Sequence, residues 1–320
     1  MNVTLTTLDD ARAAADRVGD RVVRTPLTPA PVISERLGTP VWLKRELDQR
    51  TGSFKVRGVF NAALSMPPSA LGAGLLGFSA GNHAMAVAHV GATLGAPVTV
   101  CMPAHAVPRK IEATRALGAE VVLVESDLVG TAYRLVAERG LTLLHPFDDP
   151  AVVAGHAGVG LELVADLPDV DLVLVPVGGG GLISGVATAV KRLAPAARVI
   201  GVEPETSDVV SLSLAAGRPE TLAAPRSIAD GLTAPITGEV PFAHIQSLVD
   251  DVVRVSDDAI LSALRTLVRD EGINAEPAAA AGLAALQSGV VTVPPGAKVV
   301  LVISGSNVSP DLLAQVRAGG

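Results

Sequence analysis

The chain has 320 residues, 49% of them hydrophobic, enough for a buried core in about two domains, which excludes a disordered chain. Its net charge of −7 and isoelectric point near 5.4, with no basic run, exclude an electrostatic footprint for nucleic acid or an anionic membrane surface. The lone cysteine, Cys101, excludes an internal disulfide and a cysteine-based zinc cluster, and it fits a reducing, cytoplasmic setting.

In chain order, Thr7 is placed to cap a helix with Asp9 and Asp10 in its first turn, where acids favour the helix dipole. The alanine-rich run stops at Gly19. Met1 to Asp20 is polar and lacks the apolar core of a signal peptide. Arg24-Thr25-Pro26-Leu27 reads as an extended connector, because Pro26 disfavours helix at Thr25. A short helix over 34–37 and a strand over 41–45 lead to Thr51-Gly52-Ser53-Phe54-Lys55, a Gly-Ser turn before a helical run. Residues 63–108 carry no Asp, Glu, Lys or Arg. Prolines and glycines from Pro67 to Pro103 cut them into pieces shorter than the roughly 20 continuous residues of a spanning helix, so no membrane partner is expected.

From there strands over 75–79, 98–102, 121–124 and 141–144 alternate with helices over 82–94, 108–117 and 131–139. A second series follows: a strand over 172–177, four glycines, a helix over 182–193, strands over 199–202 and 251–255, a helix from the cap Ser256 to near Glu271, and a last strand over 298–303. Short apolar runs separated by helices indicate an α/β fold with parallel sheets covered on both faces. Right-handed crossovers then put every loop that follows a strand on one edge. The first series reads as an inserted lobe; no solenoid repeat or low-complexity linker interrupts the chain.

Four stretches carry candidate chemistry. Lys55 is one of five lysines, and a lysine amine can hold an aldehyde cofactor as a Schiff base, although on local sequence a solvated charge is the ordinary alternative. Gly178-Gly179-Gly180-Gly181 follows a strand and opens a helix, so its backbone N–H groups and the helix dipole can cradle a phosphate; the alternative is a tight turn. Ile183 stands where a dinucleotide fingerprint needs its third glycine, and no Gly-Lys-Ser/Thr follows as in a Walker loop. Ser79-Ala80-Gly81-Asn82-His83 offers amides to a substrate carboxylate and an Asn82 hydrogen bond to a ring oxygen, or simply starts a helix; His83 reads as structural rather than as a base. Ser304-Gly305-Ser306-Asn307 places a serine where it can face a ring nitrogen, or forms a polar turn. All four fall at expected carboxyl ends of strands, the edge where open α/β sheets bind ligands.

With these stretches the chain resembles the fold type II pyridoxal 5'-phosphate (PLP) enzymes, specifically the serine/threonine dehydratase family, to which serine racemase is related. The resemblance spans roughly residues 8–310. It rests also on Arg24-Thr25-Pro26-Leu27, Lys44-Arg45-Glu46, Gln49, Val56-Arg57-Gly58, Pro103, Pro108, Lys110 and Gly118-Ala119. Further on it rests on His145-Pro146-Phe147-Asp148-Asp149-Pro150, Glu203-Pro204, Ile228-Ala229-Asp230-Gly231 and Glu276-Pro277.

The resemblance implies two lobes, each with a mainly parallel sheet flanked by helices: a large PLP-binding domain of residues 1–51 and 148–320, and a small inserted domain of residues 52–147. It implies PLP on Lys55, with Phe54, Asn82, Gly178, Gly179, Gly180, Gly181, Leu182, Glu276 and Ser304 around the cofactor. Ser53, Ser79, Ala80, Gly81, Asn82 and His83 would surround an amino-acid substrate. The implied reaction is removal of water and ammonia from a β-hydroxy amino acid, L-threonine or L-serine by default, in a homodimer. Rival readings are 3-hydroxyaspartate or a β-aryl serine as substrate, racemisation, β-replacement, or a catalytically dead ligand-binding relative.

Departures from the family pattern sharpen this. Ala80 stands where serine racemase carries its second-face serine, which favours elimination. The family's metal site uses Glu203, the Ser207 carbonyl and an acid two residues on, where this chain has Val209 beside Asp208, so no metal is expected. Gly155-His156-Ala157-Gly158 replaces a Gly-Gln-Gly-Thr run, Met85 a glutamine and Ser306 a glycine. The chain stops shortly after Asn307, so no C-terminal regulatory domain and no isoleucine feedback are expected.

Overall fold

Two sheets organise the chain in the computed structural model, which describes residues 3–318. Residues 1–2 of the expected polar N-terminal segment and 319–320 of the expected large lobe lie outside the described residues. The strands are β1 (Leu27–Pro29), β2 (Val41–Lys44), β3 (Leu75–Phe78), β4 (Val98–Pro103), β5 (Glu120–Val124), β6 (Thr142–Leu143), β7 (Leu172–Pro176), β8 (Arg198–Pro204), β9 (Asp251–Val255) and β10 (Val299–Val302). One sheet runs β1-β2-β10-β7-β8-β9 and the other β5-β4-β3-β6. Every pairing is parallel except β1 with β2. The connector expected at residues 24–27 thus ends in an antiparallel edge strand, a place that tolerates the missing N–H of Pro29.

The first helix, Leu8–Val18, starts as its sequence dictates: the Thr7 hydroxyl accepts from the Asp10 N–H at 3.1 Å, and the Asp10 carboxylate accepts from the Thr7 N–H at 2.9 Å. Other elements were not legible. The helix from Ser256 changes to π geometry over Thr266–Asp270 before Glu271. Helices Val209–Ala216, Glu239–Leu248, Ala281–Gln287 and Pro310–Ala318 lie in stretches without a helical reading. The largest omission is Pro150–Asp166, capped by Asp149, whose carboxylate accepts from the Ala151 N–H at 2.7 Å. Gly155, Gly158 and Gly160 depress its intrinsic helix propensity, and tertiary packing overrides that.

Those glycines let helices touch. Pro150–Asp166 crosses the helix Lys55–Leu64 where a β-carbon on Gly155 would lie 2.6 Å from the Arg57 carbonyl oxygen. It crosses Gly181–Leu193 where a β-carbon on Gly185 would lie 2.6 Å from the Ala157 nitrogen. A buried four-charge network braces the same region. Arg57 donates from Nε and Nη2 to Glu46 at 2.8 and 2.9 Å, and from Nη1 and Nη2 to Glu162 at 2.7 and 2.8 Å. Lys44 Nζ donates to Glu162 at 2.5 Å and to the Thr25 carbonyl at 2.6 Å.

Three consecutive neighbours in the large sheet, β2, β10 and β7, deliver residues 51–55, 304–307 and 178–181 to one edge. An isolated bridge between Ser53 and Gly305 and a Phe54 N–H donated to the Ser304 carbonyl at 3.2 Å tie two of these loops together. β3 and β6, adjacent in the small sheet, deliver residues 79–83 and 144–147. The switch in strand order around β10 is where such sheets form a ligand crevice.

Because the Gly185 crossing meets backbone, which cannot swing aside, Gly185→Ala is expected to lower stability by about 1–3 kcal/mol. Urea unfolding of the apoprotein measures this; an unchanged midpoint would contradict the close crossing.

Candidate active site

Lys55 is the first residue of its helix, half-buried, and its Nζ donates to the Pro146 carbonyl at 2.8 Å and stands 5.1 Å from the Phe54 ring centre. Gly52 makes the turn before it at φ +69°, against Asn307 and Ser306. Burial pushes the Lys55 amine down to about 8, opposed by the Glu276 carboxylate. A half-buried amine that loses its proton near neutrality suits nucleophilic and proton-transfer work.

The glycine run lies against Phe147. A β-carbon on Gly179 would sit 2.4 Å from that ring, and one on Gly180, at φ +91°, 2.8 Å from Ile245. Close packing, beyond turn geometry alone, demands these glycines. The N–H groups of Gly178, Gly179 and Gly180 find no backbone acceptor among the described residues, and the helix Gly181–Leu193 begins directly after them, with Leu182 buried in its first turn. Free amides at a helix N-terminus form a ready anion site, and a phosphate group fits this donor set.

Asn82 is engaged within the protein. Its Nδ2 donates to Glu276 Oε1 and Oε2 at 2.8 and 3.1 Å, and its Oδ1 accepts from Asn307 Nδ2 at 2.8 Å. Burial raises Glu276 to about 7, opposed by the Asn82 amide. A β-carbon on Gly305 would lie 2.5 Å from Glu276 Oε1, so the glycine after Ser304 makes room for this carboxyl. Ser304 itself is buried.

Around the substrate loop, Ser79 Oγ accepts from the Gly81 N–H at 3.1 Å and Ala80 is exposed. His83 Nε2 lies 2.8 Å from the Leu144 carbonyl, which can only accept, so Nε2 carries the proton and Nδ1 is bare. Burial, then the Lys55 charge, pushes His83 down to about 3, which agrees with its reading as a neutral group and not a base. Thr51 Oγ1, Ser53 Oγ and His83 Nδ1 are buried without a partner, polar atoms left for something the protein does not supply. A cavity of about 560 Å³ is lined in part by Met85, Lys110, Asp230, Pro277, Asn307 and Val308, and its Asn307 donates from Nδ2 to the Thr51 carbonyl at 2.9 Å. Lys110 Nζ and Asp230 pair across it at 2.5 Å.

The Glu203 carboxylate accepts from the Val210 and Ser211 N–H groups at 2.8 and 2.9 Å and from Ser211 Oγ at 2.8 Å, capping the helix Val209–Ala216. Among the described residues no group of three or more His, Cys, Asp or Glu could hold a metal ion.

Sequence reasoning gave no role to several groups found here. His145 Nδ1 accepts from the N–H groups of Phe147 and Asp148 at 3.3 and 2.8 Å, and its ring lies edge-on to Phe78 and Phe147. The segment from His145 to Pro150 stood out as a motif, but nothing local says that its Pro146 carbonyl holds a lysine 91 positions away.

A model described as "Pyridoxal-phosphate dependent enzyme" matches residues 18–305. The chain belongs to this PLP-dependent enzyme family. The L-threonine ammonia-lyase of Geobacter sulfurreducens is 42% identical over 310 residues, 96% of this chain and 77% of that protein. The solved T.th. threonine deaminase superposes with a TM-score of 0.88 at 40% identity, covering 95% of this chain and 99% of that one. Maize serine racemase superposes with a TM-score of 0.93 at 32% identity over 99% and 98% of the two chains. The fold type II architecture with mainly parallel sheets is therefore the chain's own, and PLP is its cofactor. No helix among the described residues is long and apolar enough to cross a membrane.

Burial raises Glu203 from 4.5 to about 7, opposed by the Val210 and Ser211 hydrogen bonds. A raised carboxyl stabilises the fold fully below 4.5, and that contribution is lost as pH rises through about 7. Glu203→Gln is expected to flatten the fall in stability over this window, measured as urea midpoints at the two ends. An unchanged slope would contradict the assignment.

Proposed function

We propose that this PLP enzyme is an ammonia-lyase converting a β-hydroxy amino acid, L-threonine or L-serine first, to a 2-oxo acid and ammonia. The observation that carries the reading is the pairing of a desolvated Lys55 amine with an amide-lined glycine loop at the ends of β2 and β7, the two strands that flank β10. The names of the relatives point to the same activity.

When bound, PLP supplies the aldehyde that joins the substrate's amino group and a ring that takes up electron density as the α-proton leaves. Gly178, Gly179, Gly180, Gly181 and Leu182 would hold its phosphate, Phe54 would lie beside it, and Asn82, with Glu276 behind it, and Ser304 would line the ring. A neutral Ser304 hydroxyl favours loss of the β-hydroxyl over transamination, because it stabilises a protonated ring nitrogen less than a carboxylate would.

The Ala80 amide and the Ser53 hydroxyl would be the donors for the substrate carboxylate, since the Ser79 N–H already donates to the Cys101 carbonyl and the Gly81 N–H to Ser79 Oγ. His83, bare at Nδ1, offers an acceptor and so suits a substrate N–H or O–H rather than the carboxylate. Lys55 Nζ, free once the substrate is in place, accepts the α-proton, and the Pro146 carbonyl steadies the resulting ammonium. Loss of water, tautomerisation and hydrolysis then yield the 2-oxo acid and ammonia. Ala80 has no proton to deliver to the opposite face, so elimination is favoured over racemisation. A 3-hydroxyaspartate or β-aryl serine remains the rival substrate for the same chemistry. Residues 52–147 would act as the small domain, and a cytoplasmic homodimer is the assembly we propose, supported by the family resemblance and by Cys101 being a buried free thiol.

Borohydride treatment of the yellow holoenzyme, followed by peptide mapping, is expected to fix the cofactor on Lys55, and Lys55→Ala to abolish turnover. A colourless protein or a label on another lysine overturns the site. Ala80→Ser is expected to raise racemisation relative to elimination; an unchanged ratio removes the second-face argument.

A further inference from the structure

His156 is a buried imidazole that the proposed chemistry does not use. It is fully buried on Pro150–Asp166, and neither ring nitrogen makes a hydrogen bond of good geometry, the polar group beside the ring being the Gly181 backbone. Its ring meets Phe54 edge to face, with centroids 4.9 Å apart at 67°. Its Nε2 end presses on Gly58, where a β-carbon would lie 2.5 Å away, and its backbone presses on Gly185, where a β-carbon would lie 2.7 Å from its carbonyl carbon.

His156 therefore stands at the junction of three helices. One begins at Lys55, one begins at the glycine loop, and the third carries His156 between them. The rest of the contact is glycine, backbone and apolar side chain. An apolar residue would fill the same space without burying two ring nitrogens that lack a well-formed hydrogen bond, so packing alone does not account for a histidine here.

We infer that His156 is a positioning residue: its uncharged ring holds Phe54 and so sets the Lys55 amine relative to the glycine loop, while keeping water from the space beneath them. Burial, then the Lys55 charge, holds the ring well below the usual histidine range, so it stays neutral at working pH. The titratable groups facing Lys55 are then Glu276 and the imidazoles of His83, His145 and His156, all three neutral. The inference rests on Lys55 being the cofactor lysine, but its effect on that amine is readable without cofactor.

The test uses the apoprotein and two readouts: the pH dependence of Lys55 labelling by an amine-reactive reagent, followed by peptide mapping, and the affinity for added PLP. His156→Ala should admit water, move the Lys55 midpoint upward from about 8 towards the ordinary 10.5, and weaken PLP binding about tenfold or more. His156→Gln, neutral and of similar size, should restore both. Leu264→Ala, in the separate core that includes the helix Asp257–Arg265, controls for lost stability and should move neither. If His156→Ala does not fold, His156→Asn, a shorter polar residue, carries the same readouts and the same expectation.

An unmoved labelling midpoint in His156→Ala, or an equal shift in Leu264→Ala, overturns the inference. Absence of PLP binding by the wild-type protein would instead overturn the cofactor site and leave the labelling result to decide the role of His156.

Discussion

Everything at the site depends on how closely three helices approach one another. Lys55–Leu64 and Gly181–Leu193 both begin at the sheet edge, and Pro150–Asp166 runs against both, through Gly155 and Gly185. Side chains at these crossings would push the helices apart and separate the lysine from the phosphate loop. The network of Lys44, Glu46, Arg57 and Glu162 adds register to this closeness, because Glu162 lies on the crossing helix and Arg57 in the first turn of the lysine helix. Buried ion pairs give uncertain net stability, whereas removing one partner strands a buried charge at a cost of about 3–5 kcal/mol. The network therefore penalises any other arrangement of these helices.

The same burial sets the electrostatics. Desolvation lowers Lys55, His83 and His145 and raises Glu276, so the site is built from groups close to neutral form. Phe54, Phe78 and Phe147, three of the chain's five phenylalanines, pack on histidines that surround the lysine. In a chain only 2% aromatic, this concentration marks the place where water is excluded. An uncharged amine can attack and can accept a proton; a fully solvated one, at 10.5, would do neither well near neutral pH.

Much of the fold was legible because its strands are short apolar runs and its loops carry glycine and serine at their carboxyl ends. Lys55, the glycine run and the loop from Ser79 could each be placed after the carboxyl end of a strand from that rule alone, whereas their division between two sheets could not. What could not be read were contacts between distant positions. Nothing near Asn82 says that its amide will meet Glu276, 194 positions on. The helix Pro150–Asp166 hid behind its glycines, whose low propensity is repaired only by the neighbours they admit. The π turn at Thr266–Asp270 and the antiparallel β1 likewise follow from packing rather than from local pattern.

The account stands on a desolvated lysine working one face of an amino acid, with Ala80 unable to serve the other. The most direct measurement is release of 2-oxo acid and ammonia by the holoenzyme across a panel of L- and D-β-hydroxy amino acids, including threonine, serine, 3-hydroxyaspartate and phenylserine. The account predicts equal release of both products from at least one L-substrate, with little of its enantiomer formed. Racemisation outpacing elimination, or no 2-oxo acid from any member of the panel, would contradict it.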